Sequence, residues 1–214
     1  MSAPIYITCF NAPLLCRQAL SKLAYWGHLS RHHVILSDQS DDFHHSIYKT
    51  MAEEFRCKII RHENKGATTS KRSVLRHAWE NGDEIIHQFS EDFQIGGGTD
   101  HCVVQGVGSF LEDSEKILGA CRDLDFMKWN ILTSHNGDMS YMWRGQSWFG
   151  GLSLRAIPQS RLMFAVGTVQ FSNWPATWRV SGVNKIWDAA DAWIPPDENA
   201  LRLVRGSGGE WAAS

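Results

Sequence analysis

The sequence lacks any apolar stretch that approaches the length of a membrane span, so no membrane-spanning segment is expected. It also lacks a strong excess of charge. The formal net charge is −2, which excludes an overall basic field that would attract nucleic acid or a membrane. No signal peptide is visible, because Met1-Ser2-Ala3-Pro4 leads directly into a strand-like run. We therefore expect a soluble cytoplasmic protein that does not bind membranes.

Cysteine is scarce and its spacing carries no metal or redox motif. The five cysteines are odd in number, widely spaced and free of any C-x-x-C pair: Cys9, Cys16, Cys57, Cys102 and Cys121. This spacing argues against a zinc ribbon or a redox pair and favours buried free thiols in a reducing compartment. The pairs His32-His33 and His44-His45 also lack the Cys/His spacing of a zinc site, so surface or core histidines are expected.

Internal repeats and low-complexity linkers are absent too, and the hydrophobic share of 43% is that of an ordinary globular protein. Strand-like and helical patterns alternate through the first half, which predicts a parallel, doubly wound α/β sheet flanked by helices. The predicted strands are Ile5–Phe10, His33–Ser37, Cys57–Arg61 and Glu84–Phe89. The predicted helices are Pro13–Tyr25, Ile47–Phe55 and Thr68–Trp79. Asn11 is a possible N-cap of the first helix.

The second half has a different pattern, which predicts a smaller antiparallel portion. Here the prediction is a helix over Asp100–Cys121, a strand over Phe126–Leu132, antiparallel strands and loops within 139–172, and a helix from Pro175 to about Ala190. We predict one domain over 1–214, with a nucleotide-binding half (1–95), an acceptor half (96–204) and a flexible tail (205–214).

Two strand-like runs end in carboxylates. Val34-Ile35-Leu36 leads into Asp38, Asp41 and Asp42, and the run before Ser90 leads into Glu91-Asp92. Open α/β sheets bind ligands at the carboxyl ends of their strands, and carboxylates suit Mg²⁺ or Mn²⁺ shared with substrate phosphates. Asp at a strand end can also simply form a turn or cap the next helix. Because carboxylates occur at two matching strand ends, we favour a site that binds a nucleotide and a metal.

The same order of features resembles the GT-A fold of nucleotide-sugar glycosyltransferases, a Rossmann-like α/β fold, and in particular their broad family 2. The resemblance runs fairly continuously over residues 5–93 and is weak afterwards. Phe10-Asn11 matches the turn after the first strand, Asp38 the nucleoside-binding acid, and Asn64-Lys65-Gly66 the turn after the third strand. The donor-binding residues that the resemblance implies are Phe10, Asn11, Asp38, Ser40, Asp41, Asn64, Gly66, Lys71, Arg72, Ser90, Glu91, Gly150 and Gly151.

The sequence departs from this family at its Asp-x-Asp metal motif, where it has Ser90-Glu91-Asp92. The resemblance then implies Asp92 as the metal ligand, with Glu91 contacting the ribose or a metal-bound water. One carboxylate plus the diphosphate can hold Mn²⁺ or Mg²⁺, because these ions keep waters and accept phosphate oxygens. Independence from metal stays open.

Three further features of the sequence bear on the predicted reaction: a basic run, a set of candidate general bases and a set of candidate acceptor-binding residues. Seven Lys/Arg and one acid lie between Arg56 and His77, a run that is equally compatible with a solvated helix face and with phosphate contact. Transfer to a hydroxyl with inversion needs a general base, and the candidates are Asp138, Asp188 and Asp191. Asn173, Trp174 and Arg179 are the candidate acceptor-binding residues.

The predicted reaction is transfer of a sugar from a nucleotide-diphosphate sugar, with UDP favoured, to an acceptor hydroxyl. Compact stand-alone members occur in bacteria and phages, and some resemble enzymes that glycosylate hydroxymethylated DNA bases, so a modified DNA base is one acceptor to consider. Two alternatives stay open: a nucleotidyltransferase of similar topology, and a catalytically silent nucleotide-binding module. The oligomeric state is not indicated.

Overall fold

The computed structural model describes residues 2–64, 67–92, 107–128, 153–157, 163–166 and 176–181. The chain divides into two compact units, one of residues 1–130 with 174–184, the other of residues 131–173 with 185–214. The single-domain organisation, with its halves and tail, stays a prediction.

The first unit contains a six-stranded sheet and its helices. The strands are β1 (Ile5–Cys9), β2 (Val34–Asp38), β3 (Lys58–Arg61), β4 (Ile85–Ser90), β5 (Phe126–Lys128) and β8 (Ala176–Arg179); the helices are α1 (Pro13–Tyr25), α2 (Asp42–Phe55), α3 (Ala67–Glu80) and α4 (Val107–Ala120), with a short 3-10 helix at His28–Ser30. In the second unit, β6 (Ser153–Ala156) and β7 (Met163–Val166) form an antiparallel pair.

The sheet order is β3-β2-β1-β4-β8-β5. The first four strands are parallel, and β8 runs antiparallel to both of its neighbours. The register places Cys9 beside Asp38 and Thr8 beside Ser90, so the ends of β1, β2 and β4 lie at one edge of the sheet. The predicted α/β fold with a mostly parallel sheet flanked by helices is confirmed.

The core explains why these segments are strands and helices. All five residues of β2 are buried, as is expected of a parallel strand that is covered on both faces. Ile5, Ile7 and Phe89 pack from the sheet against Leu20 and Leu23, which recur at helical spacing on α1.

Helix starts show where local sequence was informative. Pro13 is the first residue of α1, as predicted, but the predicted cap Asn11 is wrong: Ala12 is the N-cap and has no side-chain cap bond. Helix α2 begins at Asp42, well before the predicted Ile47, because Asp41 caps it by accepting a hydrogen bond from the His44 N–H at 2.9 Å.

The predicted helix from Pro175 is wrong over Ala176–Arg179, which forms β8 between β4 and β5. All four residues are buried, and the Trp178 ring stacks on Phe126 with centroids 4.9 Å apart. Pairing with two strands and burial of the indole outweigh a short helix-start pattern.

Three predicted segments extend beyond the described residues. Of the predicted helix over Asp100–Cys121, the structure describes α4, and of the strand over Phe126–Leu132 it describes β5. The β6–β7 pair lies within the stretch predicted to hold antiparallel strands. Among the described helices, none has the length and apolar character needed to cross a membrane.

Candidate functional site

The candidate site lies at the carboxyl ends of β1, β2 and β4. Asp38 ends β2 and is fully buried. Its Oδ1 accepts the Ser40 N–H at 2.9 Å, and its Oδ2 accepts from His45 Nδ1 at 2.5 Å. The carboxylate therefore fixes the turn after β2 and joins it to α2, with both oxygens used inside the protein.

The turn after β1, residues 10–12, is held by side chains from three directions. The Phe10 N–H donates to Glu91 Oε1 at 2.6 Å, the Asn11 N–H to Ser40 Oγ at 2.9 Å, and the Ala12 N–H to the Tyr48 hydroxyl at 3.0 Å. Asn11 has a positive φ of 56°, in the left-handed region that Asn tolerates better than most residues. Its Oδ1 accepts the Asp41 N–H at 3.3 Å. The turn is thus preorganised by hydrogen bonds.

Glu91 is the centre of this network. It is 5% exposed, Oε1 accepts from Phe10, and Oε2 accepts from the Tyr48 hydroxyl. Burial raises the pKa of Glu91, while the bonds from Tyr48 and Phe10 oppose that rise. Burial and the Glu91 carboxylate raise the pKa of Tyr48, so the phenol stays a donor. Glu91 is placed to fasten the 10–12 turn rather than to face a ligand.

Asp92 follows Glu91 and, unlike it, is exposed. An exposed carboxylate at the end of a central strand suits a hard cation that is held mainly by phosphate oxygens and water. Among the described residues at this edge, few side-chain oxygens are left for such an ion, because both Glu91 oxygens already accept hydrogen bonds. Asp92 would be the ligand that the protein contributes.

The other predicted donor residues differ in how the structure places them. Ser90 ends β4 beside Thr8, and Asp41 is an exposed helix cap whose pKa is lowered by the His44 N–H. Lys71 is buried and Arg72 is half-buried on α3, which follows the carboxyl end of β3, and Asn64 is exposed. The remaining predicted residues lie outside the described residues: Gly66, Asp138, Gly150, Gly151, Asn173, Trp174, Asp188 and Asp191.

Three residues at this edge were not predicted. His45 and Tyr48 share one face of α2 and reach Asp38 and Glu91. His62 follows β3, donates its N–H to the Asp38 carbonyl at 2.9 Å, and has a pKa lowered by burial and by nearby His77. Its Nε2 is buried without a hydrogen bond among the described residues. The i, i+3 spacing of His45 and Tyr48 was the signal that could have found the first two.

Arg179 is a predicted acceptor-binding residue whose placement does not suit that role. It is 7% exposed on β8, and its guanidinium donates to the carbonyls of Leu118, Cys121 and Leu124, which end α4 and begin the turn after it. The side chain therefore ties β8 to the last turn of α4 and to the residues that follow it.

Arg179→Ala is expected to lower the free energy of unfolding by about 2–3 kcal/mol, because it removes three hydrogen bonds from a charged donor, one of them to the buried Leu118 carbonyl. Chemical denaturation measures the change, with the exposed Arg76→Ala expected within about 0.5 kcal/mol of the parent. A variant at Arg179 with parental stability but weakened acceptor binding would restore the acceptor-binding interpretation.

Comparisons with known proteins bear on the fold. The mannosyltransferase PcManGT from Pyrobaculum calidifontis, in complex with GDP-Man and Mn²⁺, matches with a TM-score of 0.54 at 15% identity over 83% of this chain and 44% of that one. S. aureus TarS residues 1–349 match with a TM-score of 0.51 at 15% identity over 87% of this chain and 50% of that one. This chain therefore spans half the length, or less, of each of these two structures.

Two further comparisons found no match: no protein-family model matches the chain, and neither does any curated protein. At 15% identity the structural matches bear on architecture alone. The six-stranded, mostly parallel sheet and its flanking helices agree with them. The chain has the α/β fold of GT-A-like proteins.

Proposed function

We propose that the chain is a glycosyltransferase that moves a sugar from a nucleotide-diphosphate sugar to an acceptor hydroxyl, with Mn²⁺ or Mg²⁺ bound at Asp92. The observation that carries the proposal is the pairing of an exposed Asp92 with a fixed 10–12 turn at one edge of a GT-A-like sheet. Glu91 joins the two directly through its bond to the Phe10 N–H.

The position of each described residue suggests the role that it would have in the reaction. Asp92 would hold the cation, which when bound offsets the charge that develops on the leaving diphosphate. Lys71 and Arg72 lie on α3, which follows the Asn64-Lys65-Gly66 turn, and would contact the diphosphate. The turn after β2, which Asp38 and His45 fix, would receive the nucleoside, with His62 beside it. Preorganised groups of this kind stabilise a transition state without reorganising.

The donor and acceptor are narrower proposals. The similar mannosyltransferase was solved with GDP-Man and Mn²⁺, while the sequence favours UDP, so both nucleotide classes belong in the test. A hydroxymethylated DNA base remains our proposed acceptor to try first. Asp138, Asp188 and Asp191 remain the proposed general bases.

Incubating the chain with UDP- and GDP-sugars should give slow donor hydrolysis that requires Mn²⁺ or Mg²⁺ and stops with a chelator. Released nucleoside diphosphate is the readout. Nucleoside triphosphate consumption with pyrophosphate release would instead favour a nucleotidyltransferase. Nucleotide binding without turnover of any donor would favour the silent module, and absence of any nucleotide binding would refute all three.

A further inference from the structure

A second group of metal-ligating side chains lies away from Asp92. His32 follows the 3-10 helix, His87 lies on β4 and Glu115 lies on α4; we call these three residues the His-Glu cluster. One ligand atom from each lies within 4.8 Å of the other two. Both imidazole side chains are completely buried, and Glu115 is 23% exposed. Three separate elements thus bring two imidazoles and a carboxylate to one point.

The contacts inside the cluster are short. His87 Nε2 lies 3.0 Å from Glu115 Oε1, and His32 Nδ1 lies 3.8 Å from the same oxygen. Ligands around a tetrahedral ion lie about 3.3 Å apart when the metal–ligand bonds are about 2.0 Å. The separation of His87 Nε2 and Glu115 Oε1 is therefore close to that of two ligands on one ion.

The hydrogen bonds that the two rings make decide which nitrogen of each ring is left to bind an ion. His87 Nδ1 lies 2.9 Å from Thr177 Oγ1, and His32 Nδ1 lies 2.8 Å from the Ala3 carbonyl. A hydroxyl can accept as well as donate, so His87 can protonate Nδ1 and present Nε2 to an ion. In His32 the bond to Ala3 leaves the lone pair on Nε2, which is buried and has no hydrogen-bond partner within the described residues.

An ion would have access from solvent. A cavity of about 850 Å³ at the amino ends of the parallel strands is lined by His32 and Glu115, among others. It could admit the ion and the water that completes its coordination. His87 precedes the carboxyl end of β4 by three residues, or about 10 Å along the strand, which separates this site from Asp92.

The other candidate metal group in the described residues, Cys9, Cys16 and Glu91, is less suitable. Both Glu91 oxygens accept hydrogen bonds that hold the 10–12 turn. Burial raises the pKa of Cys9 well above its usual value, which keeps the thiol protonated. A metal there would have to displace existing structural bonds.

We propose that His32, His87 and Glu115 bind a divalent transition-metal ion such as Zn²⁺ at a structural site that joins β4 and α4 to the segment before β2. Two imidazoles and one carboxylate favour Zn²⁺, Co²⁺ or Ni²⁺ over Mg²⁺, which prefers oxygen ligands throughout. Because this site is independent of Asp92, it does not depend on the proposed sugar transfer.

The test uses the full chain with Asp92→Asn, so that an ion at the donor site does not contribute. After chelator treatment, Co²⁺ is titrated and its visible absorption bands are followed. About one ion per chain is expected. Glu115→Gln, added to this background, should weaken binding at least 10-fold. His28→Gln, which alters a buried imidazole whose ring centre lies 5.7 Å from that of His32, should bind as the background does.

X-ray absorption of the Zn²⁺ form of the Asp92→Asn chain is the second measurement, and it does not depend on any variant within the cluster. Scattering from two imidazoles is expected. Failure of the Asp92→Asn chain to bind Co²⁺ or Zn²⁺, unchanged affinity after Glu115→Gln in a folded protein, or a zinc shell without imidazole would each overturn the site.

Discussion

Asp92→Asn is expected to lower the metal-dependent rate of donor hydrolysis by about 10²- to 10³-fold, the range seen when one preorganised electrostatic group is removed from an active site. The amide keeps the shape of the side chain but loses the charge that holds a hard cation. Since Asp92 is exposed, its replacement should leave the fold intact. Initial rates across a Mn²⁺ titration measure the effect.

The matched control is Glu80→Gln, an exposed acid at the end of α3. It removes one negative charge as well, and we expect parental rates and an unchanged Mn²⁺ requirement. If Asp92→Asn and Glu80→Gln behave alike while the parent remains metal-dependent, the cation is held elsewhere. If the parent turns over donor equally well with a chelator present, the metal requirement is wrong.

The first half of the fold was predictable because its periodicities are clear. Alternating strands and helices with short turns predicted β1 to β4 in parallel order, and Pro13 marked the start of α1. The failure at β8 has a physical reason. Its four residues owe their conformation to pairing with β4 and β5, which lie far away in sequence. No local pattern contains that information.

The candidate site shows the same limit at the level of single side chains. The sequence placed Asp38, Glu91 and Asp92 at strand ends, but adjacent carboxylates look alike in a sequence. Only the fold separates buried Glu91, bonded to Phe10 and Tyr48, from exposed Asp92. For Asp41, the structure shows the cap that was the simpler interpretation. His62 was missed because no spacing connects it with Asp38.

Glu91→Ala is expected to lower the free energy of unfolding by about 2–4 kcal/mol, because it leaves the Phe10 N–H and the Tyr48 hydroxyl without an acceptor. A loss of this size is a large part of the stability of an ordinary domain. The 10–12 turn should also lose its fixed position, so donor affinity is expected to fall even though Glu91 faces the protein interior. Urea denaturation and nucleotide titration measure the two effects.

The Tyr48→Phe variant tests whether Glu91 acts by holding the 10–12 turn or by contacting the donor directly. It removes one hydroxyl that donates to Glu91 and accepts from Ala12, so a loss of about 1–3 kcal/mol is expected. Tyr25→Phe is the matched control, because Tyr25 is 78% exposed and should change stability by less than about 0.5 kcal/mol. If Glu91 and Tyr48 act as one unit, the double variant Glu91→Ala/Tyr48→Phe will lose less than the sum of the single losses. Strict additivity would show that the two side chains act independently. A Glu91→Ala protein of parental stability that no longer binds donor would instead place Glu91 in contact with the ligand.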